Sequence, residues 1–135
     1  MKLTPYLHFQ GNAEEALNFY KDTLKGNVAM ISRYSDNPQP TDDDWKNKIL
    51  HARLEFDGNM IMISDAFKGY RVGFDGNIQL SIEIEDAARL QEIWDKLTAG
   101  GFVSMPLQDT FWGARFGMLT DKFGVRWMLN HELKK

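Results

Sequence analysis

The spacing of apolar residues along this chain switches between two periods, and the switches predict two helices set among eight strands. From Asn12 to Gly26 (NAEEALNFYKDTLKG), Ala13, Ala16, Leu17, Tyr20 and Leu24 recur at helical spacing, with Phe19 at the edge of the stripe. Asn12 is expected to cap this helix, Glu15 completes a capping box, and Gly26 stops it. Asp86–Gly101 (DAARLQEIWDKLTAGG) repeats the plan. There Asp86 caps, Leu90, Ile93, Trp94 and Leu97 form the stripe, and Gly100-Gly101 ends it. Asn12 and Asp86, Tyr20 and Trp94, and Gly26 and Gly100 are separated by one common spacing.

A short strand is predicted before each helix, Pro5–Gln10 and Asn77–Glu85, and three extended runs after it. In the first half these are Val28–Ser35, Ile49–Phe56 and Met60–Asp65; in the second they are Phe102–Met105, Ala114–Thr120 and Val125–Asn130. Asp57-Gly58-Asn59 and Asp121-Lys122-Phe123-Gly124 supply turn residues before the last run of each half. The unit is βαβββ, written twice. The repetition lies in element order and cap chemistry, not in residue identity.

Alternation decides which side chains share a face. In Asn77–Glu85, Leu80, Ile82 and Ile84 oppose Gln79, Ser81, Glu83 and Glu85. In Ile49–Phe56, Leu50, Ala52, Leu54 and Phe56 oppose His51, Arg53 and Glu55, and in Val125–Asn130, Trp127 and Leu129 oppose Arg126, Met128 and Asn130. Helices cover the apolar faces, so the polar faces either line a pocket or meet solvent. His51 reads as a general base or as a satisfied structural group, and Glu83 as a carboxylate base or as the partner of Arg53, Arg115 or Arg126. Asp65 either caps a turn or acts in a pocket, while Phe111-Trp112-Gly113 either walls a pocket or plugs the core. His8 falls on the face opposite Leu7 and Phe9, and His131 is expected in solvent. Seven methionines, among them Met60, Met62, Met118 and Met128, suggest an adaptable interior or ordinary packing.

Length and composition narrow the classes. A chain of 135 residues forms one domain, or two small modules sharing a core, and needs no disulfide or metal to fold. It has no cysteine, which removes thiolate catalysis and cysteine-ligated zinc and fits a cytoplasmic location. No run approaches the roughly 20 apolar residues of a membrane span, and the opening MKLTPYLHF turns polar too soon for a signal peptide. The net charge of −3, without a basic stripe, argues against nucleic acid. Asp36–Asn47 and Ala66–Gly76 read as loops, and Asp42-Asp43-Asp44 as solvated residues rather than a cation site. There is no GxSxG elbow, P-loop or His-Glu-x-x-His motif, and Gly73–Gly76 is no dinucleotide fingerprint.

The paired units resemble the vicinal oxygen chelate superfamily, which includes glyoxalases, ring-cleaving dioxygenases and bleomycin- and fosfomycin-resistance proteins. The chain looks most like the PhnB-like branch. The resemblance rests on Pro5–Phe9, Gly11-Asn12, Phe19-Tyr20, His51-Ala52, Met62–Asp65 and the FWG, FG, TDKFGV and WMLN stretches of Thr110–Asn130. It implies an α+β glyoxalase/bleomycin-resistance fold, a cup-like eight-stranded mixed sheet made by module one (1–66) and module two (77–135) joined by a linker (67–76), and a homodimer. Superfamily enzymes hold a divalent metal on the first and last strand of each module. Those positions fall here near Pro5 or Leu7, Met62 or Ser64, Gln79 and Met128, of which only Gln79 offers a hard oxygen. A slip of one or two residues substitutes His8, Asp65, Glu83 or Asn130, but a slip of one also moves each side chain to the other face. No metal site is therefore expected. PhnB-like proteins have carried a ubiquinone-methyltransferase label, yet no glycine-rich loop for a methyl donor is present. The expected function is metal-independent binding of a small organic molecule in the cup by Arg53, Asp65, Gln79, Trp112, Arg115, Arg126 and Met128. The alternatives are a glyoxalase-like lyase, isomerase or other enzyme using the cup, with or without a divalent metal, with His51 or Glu83 as base and an arginine stabilising negative charge, and a dimerisation module.

Overall fold

The computed structural model describes residues 1–73 and 77–133; residues 74–76 of the expected linker and 134–135 of the second module lie outside them. The described elements are β1 (Tyr6–Phe9), α1 (Ala13–Leu24), β2 (Asn27–Arg33), β3 (Ile49–Phe56), β4 (Asn59–Asp65), β5 (Leu80–Glu83), α2 (Ala87–Thr98), β6 (Phe102–Asp109), β7 (Ala114–Thr120) and β8 (Arg126–Glu132). The fold is α+β, with eight strands in two four-stranded mixed sheets of order β1-β4-β3-β2 and β5-β8-β7-β6. Each sheet has one parallel pair, β1 with β4 or β5 with β8, and its remaining pairs are antiparallel. The chain divides into two units, Met1–Gly73 and Phe74–Lys135. Residues 67–73, read above as linker, thus belong to the first.

In the first unit α1 packs on β3 and β4. The buried Ala16, Leu17, Tyr20 and Leu24 meet a sheet face made of Phe9, Ala52, Leu54, Ile61 and Ile63. In the second, α2 packs on β7 and β8, with Leu90, Ile93, Trp94 and Leu97 against Leu119, Trp127 and Leu129. Burying each of these large apolar side chains favours folding by about 2 kcal/mol. Gly117 of β7 is what admits Trp94: a Cβ there would lie 2.6 Å from two of the indole ring carbons.

Several local expectations are corrected. Asn12 makes no side-chain cap bond to α1. Asp65, at the end of β4, instead fastens the helix start by accepting from the N–H groups on either side of Asn12, Gly11 at 2.7 Å and Ala13 at 2.9 Å. Asp86, by contrast, caps α2 as expected, accepting from Ala88 N–H at 2.9 Å. The left-handed residue ending α1 is Lys25, not Gly26; Gly26 is needed because a Cβ would lie 2.8 Å from the Glu55 carbonyl oxygen. β6 runs on through Pro106 to Asp109. It is an edge strand whose register shifts on both sides of Met105, so a missing N–H is tolerated there. In β3 the expected alternation breaks at Leu50. Arg33 pairs with Ile49 and Ser32 with His51, so β3 carries one extra residue, Ile49 turns inward, and Leu50 leaves the helix-covered face. The four methionines Met60, Met62, Met118 and Met128 are half-buried on the uncovered faces rather than in the interior.

Candidate functional site

The uncovered face of the first sheet carries Tyr6 and His8 from β1, His51 and Arg53 from β3, and Met62 and Ser64 from β4. The Tyr6 ring stacks on His8, with centroids 4.5 Å apart and planes 6° from parallel. The Tyr6 hydroxyl lies 2.8 Å from His51 Nδ1, and Arg53 Nε donates to His51 Nε2 at 3.4 Å. With Nε2 accepting, Nδ1 carries the ring proton and donates to the Tyr6 oxygen. Burial, and after it the Arg53 charge, holds the His51 pKa below the usual imidazole value, so the ring is neutral at pH 7. His8 Nδ1 is 3.0 Å from the buried Ser64 hydroxyl.

Beyond this row the chain builds a wall. Ala66 N–H donates to the Phe9 carbonyl at 2.7 Å, Tyr70 N–H to the Phe67 carbonyl at 2.9 Å, and Val72 N–H to Gln10 Oε1 at 3.0 Å. The 36–47 loop clasps it from outside. Trp45 Nε1 donates to the Ala66 carbonyl at 3.2 Å, and Lys68 pairs with Asp42 at 3.2 Å and Asp44 at 2.8 Å. The three aspartates read as solvated stay exposed and each pairs with a lysine, Asp42 and Asp44 with Lys68 and Asp43 with Lys46, and Trp45, isolated among polar residues in the sequence, is an anchor.

The result is a cavity of about 630 Å³ contained in the first unit, lined by Tyr6, His8, Tyr34, Leu50, Ser64, Asp65, Ala66, Phe67, Tyr70, Arg71, Val72 and Gly73. Asp65 reaches this cavity, but its carboxylate is engaged by Gly11, Ala13 and Ile49 N–H groups and is almost fully buried. The buried Tyr34 hydroxyl donates to the Asp65 carbonyl at 2.7 Å, and burial pushes that phenol above its usual pKa. Sequence reasoning missed Tyr6, Tyr34, Phe67, Tyr70 and Arg71. The signal for Phe67, Tyr70 and Arg71 is faint, aromatics and an arginine interleaved with glycine in AFKGYRVG, and Tyr6 and Tyr34 carry none.

The other expected site residues lie in the second unit. Glu83 is exposed on the uncovered face, in register with Asn130, and Met128 and Arg126 share that face. Gln79 sits just before β5, half-buried. Arg115 has the opposite parity, that of Gly117 and Leu119, and its Nε donates to Asp109 at 2.8 Å. Trp112 is 56% exposed and meets Phe116 edge-on at 5.9 Å, while Phe111 is 96% exposed, so neither plugs a core. His131 is half-buried, with Nδ1 donating to the Ile84 carbonyl at 2.9 Å, rather than solvated.

The donor set does not fit a hard divalent cation. Leu7 is hydrocarbon, Met62 and Met128 are thioethers, and the Ser64 hydroxyl is engaged by His8. Among the described residues no three His, Asp or Glu side chains gather as a metal-binding group. No described helix is long and apolar enough to cross a membrane.

The family model for 3-demethylubiquinone-9 3-methyltransferase matches residues 1–130. The chain belongs to this PhnB-like family of the vicinal oxygen chelate superfamily. Its PhnB-like relatives include protein YjdN of Escherichia coli (strain K12), 33% identical over 140 aligned residues that cover 96% of this chain and 95% of YjdN. The crystal structure of protein PA1353 from Pseudomonas aeruginosa is 39% identical, with a TM-score of 0.89 and 99% of both chains covered. The PhnB protein of Bacillus cereus is 31% identical, with a TM-score of 0.83 and coverage of 97% and 99%. Fosfomycin resistance protein FosX of Listeria monocytogenes, 14% identical with a TM-score of 0.67 over 98% and 93% of the chains, shares the fold.

Proposed function

We propose that this PhnB-like protein binds a small organic molecule against the uncovered faces of its sheets, without the divalent metal of the superfamily's enzymes. The observation that carries the reading is the cavity of about 630 Å³ over the first sheet, whose size suits a small ligand and whose walls pair aromatic rings with a few polar groups. Arg53 and Asp65 are the proposed contacts within the first unit, with Asp65 acting through position rather than charge, and Gln79, Trp112, Arg126 and Met128 those within the second; Arg115, on the helix-covered side and paired with Asp109, is set aside. The reading includes a homodimer, supported by the exposed Phe102, Phe111 and Trp112 of the second unit, and a cytoplasmic location, consistent with a chain free of cysteine.

A thermal-shift series tests it, with nickel, zinc and manganese in one arm and a panel of organic metabolites in the other. A ligand at about 100 times its dissociation constant stabilises the folded state by roughly 2.7 kcal/mol, which is readily seen. The expected result is a shift with an organic compound and none with metal. Stoichiometric metal on elemental analysis overturns the proposal.

A second reading is favoured by the Tyr6–His51 contact. The imidazole is neutral, with its pKa held down and its orientation fixed by a phenol, and release of the long 3.4 Å Arg53 contact frees Nε2 to abstract a proton, with Glu83 as the alternative base. Turnover that His51→Ala abolishes while the fold survives makes the protein an enzyme. Methyl transfer forms no part of either reading, since the chain shows no glycine-rich loop to hold a methyl donor.

A further inference from the structure

Resting on the reading that the first unit's cavity takes a small organic ligand, we infer that this ligand is a planar aromatic monoanion, its ring clasped between the 66–72 wall and the Tyr6–His8 stack and its charge met by Arg71. Phe67 and Tyr70 are 68% and 65% exposed, a heavy load of aromatic surface beside one cavity. They are not loose. The three main-chain bonds to Phe9, Phe67 and Gln10, together with the Trp45 and Lys68 clasps, hold the wall that presents them. Phe67 stands edge-on to Tyr34, with centroids 6.0 Å apart, and the Tyr6 ring is fixed by its contacts with His8 and His51. The Tyr6 and Phe67 faces, already held in place, favour a flat π system and spare part of the cost of ordering the site.

The charges around the cavity select the sign. Lys68 is committed to Asp42 and Asp44. The Asp65 carboxylate is engaged by three backbone N–H groups. Arg71 lines the cavity, and its guanidinium has no hydrogen bond or ion pair to another described residue. His8 adds its second ring nitrogen, which has no partner among the described residues. One free guanidinium and one imidazole edge suit a carboxylate or phenolate. A phosphate would call on the helix N-terminus nearby, but the Gly11 and Ala13 amides there are already spent on Asp65.

The test uses the full chain and three probes: 2-naphthoate, its neutral counterpart 2-naphthamide, and cyclohexanecarboxylate. Affinities come from calorimetry, and the site from protein-observed NMR shifts at Ala66, Phe67, Tyr70 and Val72. We expect 2-naphthoate to bind about fivefold more tightly than the amide, the size of an exposed ion pair, with cyclohexanecarboxylate weakest. Arg71→Gln is expected to erase the difference between acid and amide while leaving the amide's affinity unchanged. Phe67→Ala is expected to weaken both naphthyl probes. Equal or tighter binding of the amide, or of cyclohexanecarboxylate, at these residues overturns the aromatic-anion assignment and leaves the small-molecule reading standing. Absence of shifts at these residues with all three probes overturns both.

Discussion

The first unit holds its helix from across a sheet, and the second holds its helix locally. Asp65 sits in register with Phe9 at the end of β4 and fastens the start of α1 and the start of β3 at once. Aligning the two units through the Gly58 and Gly124 turns brings His131 to the place of Asp65. A histidine facing the Ile84 carbonyl accepts nothing from a helix terminus, so α2 depends on the adjacent Asp86. The same alignment sets His8 and Ser64 against Glu83 and Asn130, and His51 against Phe116. Repetition has preserved the scaffold and released the uncovered faces to diverge, one towards a histidine–tyrosine row and the other towards methionine, phenylalanine and a carboxylate.

The largest test of this comparison is Asp65→Ala against Asp86→Ala. Removing Asp65 strands three amides, two of them in buried surroundings, and is expected to cost about 3–5 kcal/mol. Removing Asp86 deletes an exposed cap and is expected to cost about 1 kcal/mol. Urea unfolding of the two variants decides, and equal losses break the contrast. Next comes Gly117→Ala, whose added methyl meets the Trp94 ring; a loss of about 2 kcal/mol is expected. The aligned position in the first unit is Ala52, which already carries a Cβ, so Ala52→Gly should cost only about 1 kcal/mol.

A smaller effect is expected from pH. The folded pKa of His51 lies below its unfolded value, so folding favours the neutral ring. That contribution is present above about pH 6.5 and is lost as pH falls through the folded pKa. Unfolding measured from pH 7.5 downward should show a shallower acid limb in His51→Gln than in the parent. Unchanged slopes would falsify the account of the histidine row. The smallest effect is expected for Lys68→Gln, whose ion pairs are solvent-exposed: less than about 1 kcal/mol, vanishing in high salt.

The helices, the two turns and most of the strand alternation were legible in the sequence because they follow from neighbours a few residues apart. What escaped depends on partners brought together only by folding. Asn12 satisfies every local rule for a cap yet makes no cap bond, and a buried carboxylate 53 positions later in the chain holds the helix start by accepting from the flanking Gly11 and Ala13 amides. The expected strand stops at Met105, whereas β6 continues through Pro106, because at a sheet edge a missing N–H leaves no ladder position empty. The Leu50 bulge is set by the register of β2 against β3, which no single strand encodes. Of the candidate site, alternation places His51 and Arg53 on the uncovered face, although neither lines the cavity; the aromatic wall reads as loop and linker in the sequence, since its anchors, Gln10 and Trp45, are distant along the chain.

The placement of Asp65 also sets an order of events in synthesis. When residues 13–24 leave the ribosome, the group that will secure their first turn has not yet been made, and it arrives only at the end of the third strand that follows. α2 emerges with its cap already attached. Peptides spanning residues 12–26 and 86–101 should therefore differ in helicity by circular dichroism, the second exceeding the first, and a nascent chain halted before position 65 should still show a frayed α1.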